Sequence, residues 1–117
     1  MITPISLDFP LAKAEYLLSR VAEPGKGGDK RNYWQNILGF RSAEEIRKAI
    51  LDEITIDKLK PQGIHPYGDR LVAIIQINTP LGRSQPILTI WLVPFETSTA
   101  RFITAIPNHQ KRQNEIF

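Results

Sequence analysis

The sequence predicts an α+β fold, in which about three N-terminal helices pack on one face of a four-stranded antiparallel sheet. Residues 1–60 contain 10 Lys or Arg and 9 Asp or Glu, a composition that favours helices. Residues 61–117 contain only 5 and 3 of these charged residues and are rich in Ile, Val and Thr, which favour strands. Because the helical part precedes the strand-forming part, the helices should lie together against one sheet.

Three helices are expected in the first half of the chain. The first covers residues 10–21, where apolar residues recur at helical spacing. The second covers residues 30–38 and ends at Gly39, a typical C-terminal glycine. The third begins at the capping box Ser42-Ala43-Glu44-Glu45 and runs to about Glu53, because the Ser hydroxyl and the Glu carboxylate can each satisfy a free backbone N–H.

The second half predicts the sheet. Four strands are expected, over residues 55–60, 70–78, 87–93 and 101–106. The second and third of these are apolar on both faces, so they are expected to be central strands. A loop over residues 61–68 and a turn over residues 79–82 should connect them, with Pro80 and Gly82 providing the turn chemistry.

Length and composition describe a single domain over residues 1–117, with a core of about 10–107 and a polar tail over 108–117. The hydrophobic fraction of 42% and charged fraction of 23% exclude a disordered tail, a fibre and a membrane protein. There is no cysteine and no signal-peptide pattern, so we expect a cytoplasmic protein. A net charge of +3 permits contact with a polyanion without requiring one.

A glycine-rich loop before the second helix is the first candidate site. Backbone N–H groups at a helix N-terminus suit a phosphate, and nearby cations would strengthen such a site. The residues concerned are Lys26, Gly27, Gly28, Lys30 and Arg31. The alternative is a solvated loop with exposed cations, since no complete P-loop pattern is present.

Three side chains in the second half form the second candidate site. His65, in the predicted loop, could move a proton near neutral pH, although a lone loop histidine is often only a surface residue. Arg101 could hold a phosphate and Thr104 could donate a hydroxyl hydrogen bond, although a strand threonine can simply belong to the core or to an edge. Strand alternation places Arg101 and Thr104 on opposite faces, so they can share one site only if a β-bulge intervenes.

The remaining candidates have structural interpretations. Trp34 and Trp91 lie in apolar periodic runs and are expected in the core rather than at a base-stacking surface. Glu44 and Glu45 are explained by helix capping. Because the chain has two histidines and no cysteine, no metal ligand set and no cofactor is predicted.

Several short motifs together resemble a family of small bacterial toxin-like domains. They are Tyr16-Leu17-Leu18, Gly25-Lys26-Gly27-Gly28-Asp29-Lys30, Tyr33-Trp34, Leu38-Gly39-Phe40, Thr79-Pro80-Leu81-Gly82, Ile90-Trp91 and Arg101-Phe102-Ile103-Thr104-Ala105-Ile106-Pro107. Such domains in turn resemble the barnase, EndoU, colicin and RelE (BECR) ribonuclease superfamily. The resemblance implies a BECR-like arrangement of N-terminal helices and a four-stranded antiparallel sheet.

The resemblance also implies a function. We expect the toxin of a type II toxin–antitoxin pair, an endoribonuclease that needs no metal, with RNA as substrate and a small antitoxin as partner. The resemblance assigns catalytic roles to Lys30, Arg101 and Thr104, whereas His65 is chosen as acid or base on chemistry alone. A homodimer through an uncovered sheet edge is a further possible partnership, and no membrane partner is expected. The alternatives are a non-catalytic protein-binding module and a toxin-like fold without activity.

Overall fold

The computed structural model describes residues 4–19 and 31–108. The structure contains a five-stranded sheet, in the order β1-β5-β4-β3-β2. The strands are β1 (Ser6–Asp8), β2 (Lys60–His65), β3 (Gly68–Asn78), β4 (Ser84–Pro94) and β5 (Thr99–Pro107). Strand β1 runs parallel to β5 and all other neighbours are antiparallel, so the sheet is mixed.

The predicted arrangement of about three helices on a four-stranded antiparallel sheet is therefore wrong. Two α-helices lie in the described residues, α1 (Leu11–Ser19) and α2 (Ala43–Glu53). The expected second helix is a single π-helical segment over Asn32–Ile37, in which the Leu38 N–H donates to the Tyr33 carbonyl at 2.9 Å. Strand β1 supplies the unexpected fifth, parallel strand.

The capping chemistry that the sequence predicted is confirmed at α2. The Ser42 hydroxyl accepts from the Glu45 N–H at 3.2 Å, and the Glu45 carboxylate accepts from the Ser42 N–H at 3.2 Å. The predicted stop at Gly39 is also confirmed, because its φ of 85° lies in the left-handed region that glycine adopts without strain. The capping box fixes where α2 begins, and α2 buries Ile46 and Ile50.

The first predicted strand, over residues 55–60, is wrong. Ile56–Lys58 forms a 3₁₀ turn, and the Asp57 carboxylate takes a hydrogen bond from Thr55 that lowers the pKa of Asp57. Strand β2 instead occupies most of the expected loop. It tolerates Pro61 because it is an edge strand, and its register shifts between Pro61 and Ile64.

The two faces of the sheet differ in what covers them. One face, which we call the helix face, buries Leu71, Ala73 and Ile75 of β3 together with the helices. The other, the open face, carries the alternate residues of β3, β4 and β5. These residues are Arg70, Val72, Ile74, Leu88, Ile90, Leu92, Arg101, Thr104 and Ile106. The prediction that β3 and β4 are central strands is confirmed, because each has a neighbouring strand on both sides. Apolar residues on the second face of β3 do not mean that it is covered, since Ile74 on the open face is 49% exposed.

Both tryptophans are in the core, as predicted, with no exposed surface. Trp91 donates its indole N–H to the Thr89 hydroxyl at 2.9 Å, and Thr89 in turn donates to the Ala73 carbonyl at 2.8 Å. This buried pair of hydrogen bonds ties the middle of β4 to β3 on the helix face. The open face therefore lies on a rigid central part of the sheet.

Candidate phosphate-binding site on the open sheet face

A β-bulge at Ile103 decides which residues of β5 share a face. Ile90 of β4 pairs with Thr104, whereas the next residue, Trp91, pairs with Phe102, so Ile103 is the extra residue. Strict alternation would have separated Arg101 from Thr104. The bulge instead places both on the open face, so Arg101 and Thr104 can share one site.

Register aligns two arginines across the open face. Arg101 of β5 pairs with Leu92 of β4, and Leu92 pairs with Arg70 of β3. Neighbouring strands lie about 4.8 Å apart, so the two arginine backbones are separated by roughly 10 Å. Guanidinium groups on side chains of this length can approach the same phosphate above Leu92.

A cavity of about 270 Å³ lies on this face and brings together two of the predicted residues. It is lined by His65, Arg70, Ile90, Trp91, Leu92, Ile103 and Thr104. Its volume is slightly below the range of about 300 to 1,000 Å³ that is usual for small-ligand pockets. The cavity thus combines an aliphatic floor with cationic and hydrogen-bonding side chains.

The hydroxyl of Thr104 is the most unusual polar group in this cavity. Its Oγ1 atom is buried and has no hydrogen-bond partner. An unpaired buried hydroxyl costs free energy, about 1–3 kcal/mol in typical proteins, unless a ligand or water satisfies it. The Thr104 hydroxyl is therefore a polar group in the cavity wall for which the described residues supply no hydrogen-bond partner.

His65 lies at the end of β2, where it pairs with Gly68. Its Nδ1 atom accepts a hydrogen bond from the Tyr67 backbone N–H at 3.1 Å. In this geometry the neutral ring carries its proton on Nε2, so Nε2 is a hydrogen-bond donor. A proton on Nδ1 would break the bond to Tyr67.

The charge of the open face is mainly positive. Among the described residues, no ion pair includes Arg70 or Arg101, and both are exposed. Lys60, which pairs with Val72, adds a third cation at the β2 edge. Asp8 of β1 pairs with Arg101 in register, and the Asp57 carboxylate interacts electrostatically with Lys60. Three cations beside two carboxylates leave one net positive charge, which attracts an anion.

Most of the predicted glycine-loop site lies outside the described residues. Lys26, Gly27, Gly28 and Lys30 lie outside the described residues. Arg31 is described and exposed, and its Nε donates to the Gln35 side chain at 3.3 Å. Of the predicted site residues, the structure brings His65, Arg101 and Thr104 together on one face.

Sequence reasoning missed Arg70 and Lys60. Arg70 stands at an even position of β3, alternating with the buried Leu71 and Ala73, and this alternation was the available signal. Arg70 was predicted only as the first residue of a central strand and was given no role in a site.

Two other cavities offer less chemistry. One of about 760 Å³, between α1 and β5, has Lys13 as the one charged side chain among its described lining residues. Another of about 310 Å³ lies beside α2, where Glu45 serves the capping box and Lys48 pairs with Asp52 at 2.7 Å. Within residues 4–19 and 31–108 there is no group of three or more His, Cys, Asp or Glu that could hold a metal. No helix in the described ranges has the length and apolar character needed to cross a membrane.

Comparison with known proteins identifies the family. No curated protein and no solved structure matches the chain significantly. A family model described as a domain of unknown function, DUF6883, matches residues 12–109, which include all of α1 except Leu11, together with α2, strands β2 to β5 and the open face. The chain therefore belongs to the DUF6883 family of domains.

Proposed function

We propose that this protein is the toxin of a type II toxin–antitoxin pair and that it cleaves RNA on the open face of its sheet. The observation that carries the proposal is the bulge at Ile103, which places Arg101 and Thr104 on the same face as Arg70 and His65. Two unpaired guanidinium groups and an unsatisfied hydroxyl form a suitable set of ligands for the non-bridging oxygens of a phosphodiester.

The chemistry would be intramolecular attack on phosphorus. The ribose 2′-oxygen bonds to phosphorus as water takes its proton, and the bond from phosphorus to the 5′-oxygen breaks. The departing 5′-oxygen takes a proton from water, so that the products are a 2′,3′-cyclic phosphate and a free 5′-hydroxyl. Arg70 and Arg101 would stabilise the additional negative charge on the phosphoryl oxygens, and Thr104 would donate a hydrogen bond to one of them. Such preorganised donors act most strongly on charge that develops in the transition state.

The hydrogen bond from the Tyr67 backbone N–H limits which chemical roles His65 can take. To act as a base, His65 needs a lone pair on Nε2, and to act as a strong acid it needs protons on both nitrogens. Both states break the 3.1 Å bond to Nδ1. Donation from Nε2–H to a phosphoryl or leaving oxygen preserves that bond, so we assign His65 as a donor to the substrate.

Induced expression in a bacterial host, with RNA analysed on gels, tests the proposal. Wild-type protein should stop growth and fragment RNA, and Arg101→Ala should relieve both effects. Arg83→Ala is the matched control, because it removes the same charge from the β3–β4 turn at the far end of the sheet. Full toxicity of Arg101→Ala together with Arg70→Ala would refute the site.

The second candidate function is a non-catalytic protein-binding module. It is favoured by the aliphatic residues of the open face, of which Ile74 is 49% and Ile103 39% exposed. A module of this kind would form a stable complex with a partner protein while RNA remains intact after prolonged incubation. Replacing Ile74 with Ser would then weaken the complex, whereas the ribonuclease proposal expects RNA cleavage to persist.

A further inference from the structure

Two exposed aromatic side chains lie beside the proposed cleavage site. Tyr67, in the turn between β2 and β3, is 71% exposed, and Phe95, just after β4, is 56% exposed. Together with His65 they form a surface at one end of the sheet, which we call the aromatic tip.

The aromatic tip is held in place by backbone contacts. The Phe95 N–H donates to the Tyr67 carbonyl at 3.1 Å, which joins the two turns. The rings of His65 and Tyr67 have centroids 5.2 Å apart at an angle of 37°. Gly68 packs so tightly on β4 that an added Cβ would clash with the Val93 carbonyl oxygen. The rings are therefore presented on a fixed support.

The aromatic tip is continuous with the cationic cavity. His65 belongs to the tip and also lines the cavity with Arg70 and Thr104. On the open face His65 is paired with Gly68, two residues from Arg70, a diagonal separation of roughly 7–8 Å. An unpaired base stacked on Tyr67 would leave its phosphate near these cavity side chains.

We propose that the aromatic tip is a base-stacking subsite and that the substrate is single-stranded RNA. This proposal rests on the proposed function, because the phosphate contacts come from the same open face. Stacking on an exposed ring needs a base that is free of its complement, and aromatic rings next to cations are the usual means of binding single strands. Base-paired RNA buries the faces of its bases and cannot use the tip.

Fluorescence of an RNA oligonucleotide containing 2-aminopurine provides the test. Stacking on a ring quenches this base, so binding of the single strand to the full-length protein should lower its emission. The same oligonucleotide, annealed to its complement, should bind more weakly. Tyr67→Ala should weaken binding of the single strand about 5- to 150-fold and abolish the quenching, while Tyr67→Phe should retain both.

Ile64→Ala is the matched control, since Ile64 is 82% exposed on the same hairpin and has no ring. Unchanged binding by Tyr67→Ala, with a loss for Arg101→Ala, would overturn the stacking subsite and leave the proposed function intact. Failure of the wild-type protein to bind any RNA would overturn both. If Tyr67→Ala instead released a bound partner protein while RNA binding stayed unchanged, the tip would be a protein contact and the stacking proposal would be wrong. Circular dichroism should show that the variants remain folded.

Discussion

Replacement of Arg101 with Gln should reduce both the affinity for single-stranded RNA and the dependence of that affinity on salt. The open face carries three cations, Lys60, Arg70 and Arg101, that can each neutralise a phosphate. Each neutralised phosphate on a single strand releases counterions and contributes about 0.7 to the slope of log affinity against log salt concentration. The wild-type slope should therefore be about 2, and that of Arg101→Gln about 1.4.

The loss of affinity should be moderate. Arg101 is exposed, so solvent screens its contact with a phosphate. We expect a cost of about 1 kcal/mol, which is about a 5-fold increase in Kd. The double variant Arg70→Gln with Arg101→Gln should lower the slope to about 0.7 and weaken binding further.

Fluorescence anisotropy of a labelled oligonucleotide at a series of potassium chloride concentrations measures both quantities. Arg83→Gln is the control with the same net charge. Arg83 precedes Ser84, which lies eight residues from Leu92 along β4, a distance of about 27 Å. Equal slopes for the Arg83 and Arg101 variants would show that the protein attracts RNA by net charge alone, and would refute the reasoning from the open face.

Three further predictions concern stability. Thr89→Val leaves the buried indole N–H of Trp91 without its acceptor and should lower the free energy of unfolding by about 2 kcal/mol in urea titrations; an unchanged midpoint would contradict this. Ser42→Ala removes half of the capping box and should cost about 1 kcal/mol in the same assay, whereas Ser42→Asp should retain most of the stability. Burial raises the pKa of Tyr33 above its ordinary value of 10.0, so the stability it contributes is complete below pH 10.0 and is lost as pH rises through the raised pKa. Tyr33→Phe should therefore lose less stability at alkaline pH, and parallel profiles for both proteins would refute that assignment.

Local signals in the sequence predicted the features that depend on a few adjacent residues. The capping box at Ser42 and the left-handed conformations of Gly39 and Gly82 follow from side-chain and backbone chemistry within one turn. Strand alternation showed that Arg101 and Thr104 could share a face only if a β-bulge lay between them. The structure contains that bulge.

Strands that exist because of their pairing or position in the sheet could not be predicted from such local signals. Strand β1 has three residues and no alternation, and it exists because Ser6–Asp8 pairs with Thr99–Arg101, more than ninety residues away. Strand β2 contains Pro61 and Gly63, which usually indicate a loop, and an edge position allows both.

The residues of the candidate site also fall into two groups, those that the residue type suggested and those that only the structure revealed. His65, Arg101 and Thr104 were found because their residue types suggest chemistry, but their grouping follows from register. Arg70 and Tyr67 were missed, since only the structure shows that the open face lacks a cover in its described part and that the turn at Tyr67 lies beside the cavity.

The central claim is that the open face, and not the helix face, binds a phosphodiester. Titration of the ¹⁵N-labelled protein with a non-cleavable dinucleotide, followed by two-dimensional NMR, tests it most directly. If the open face binds the phosphodiester, the largest amide shifts should fall at His65, Arg70, Leu92, Arg101 and Thr104. Shifts confined to α2 or to the turn around Gly82, with the open face unchanged, would contradict it.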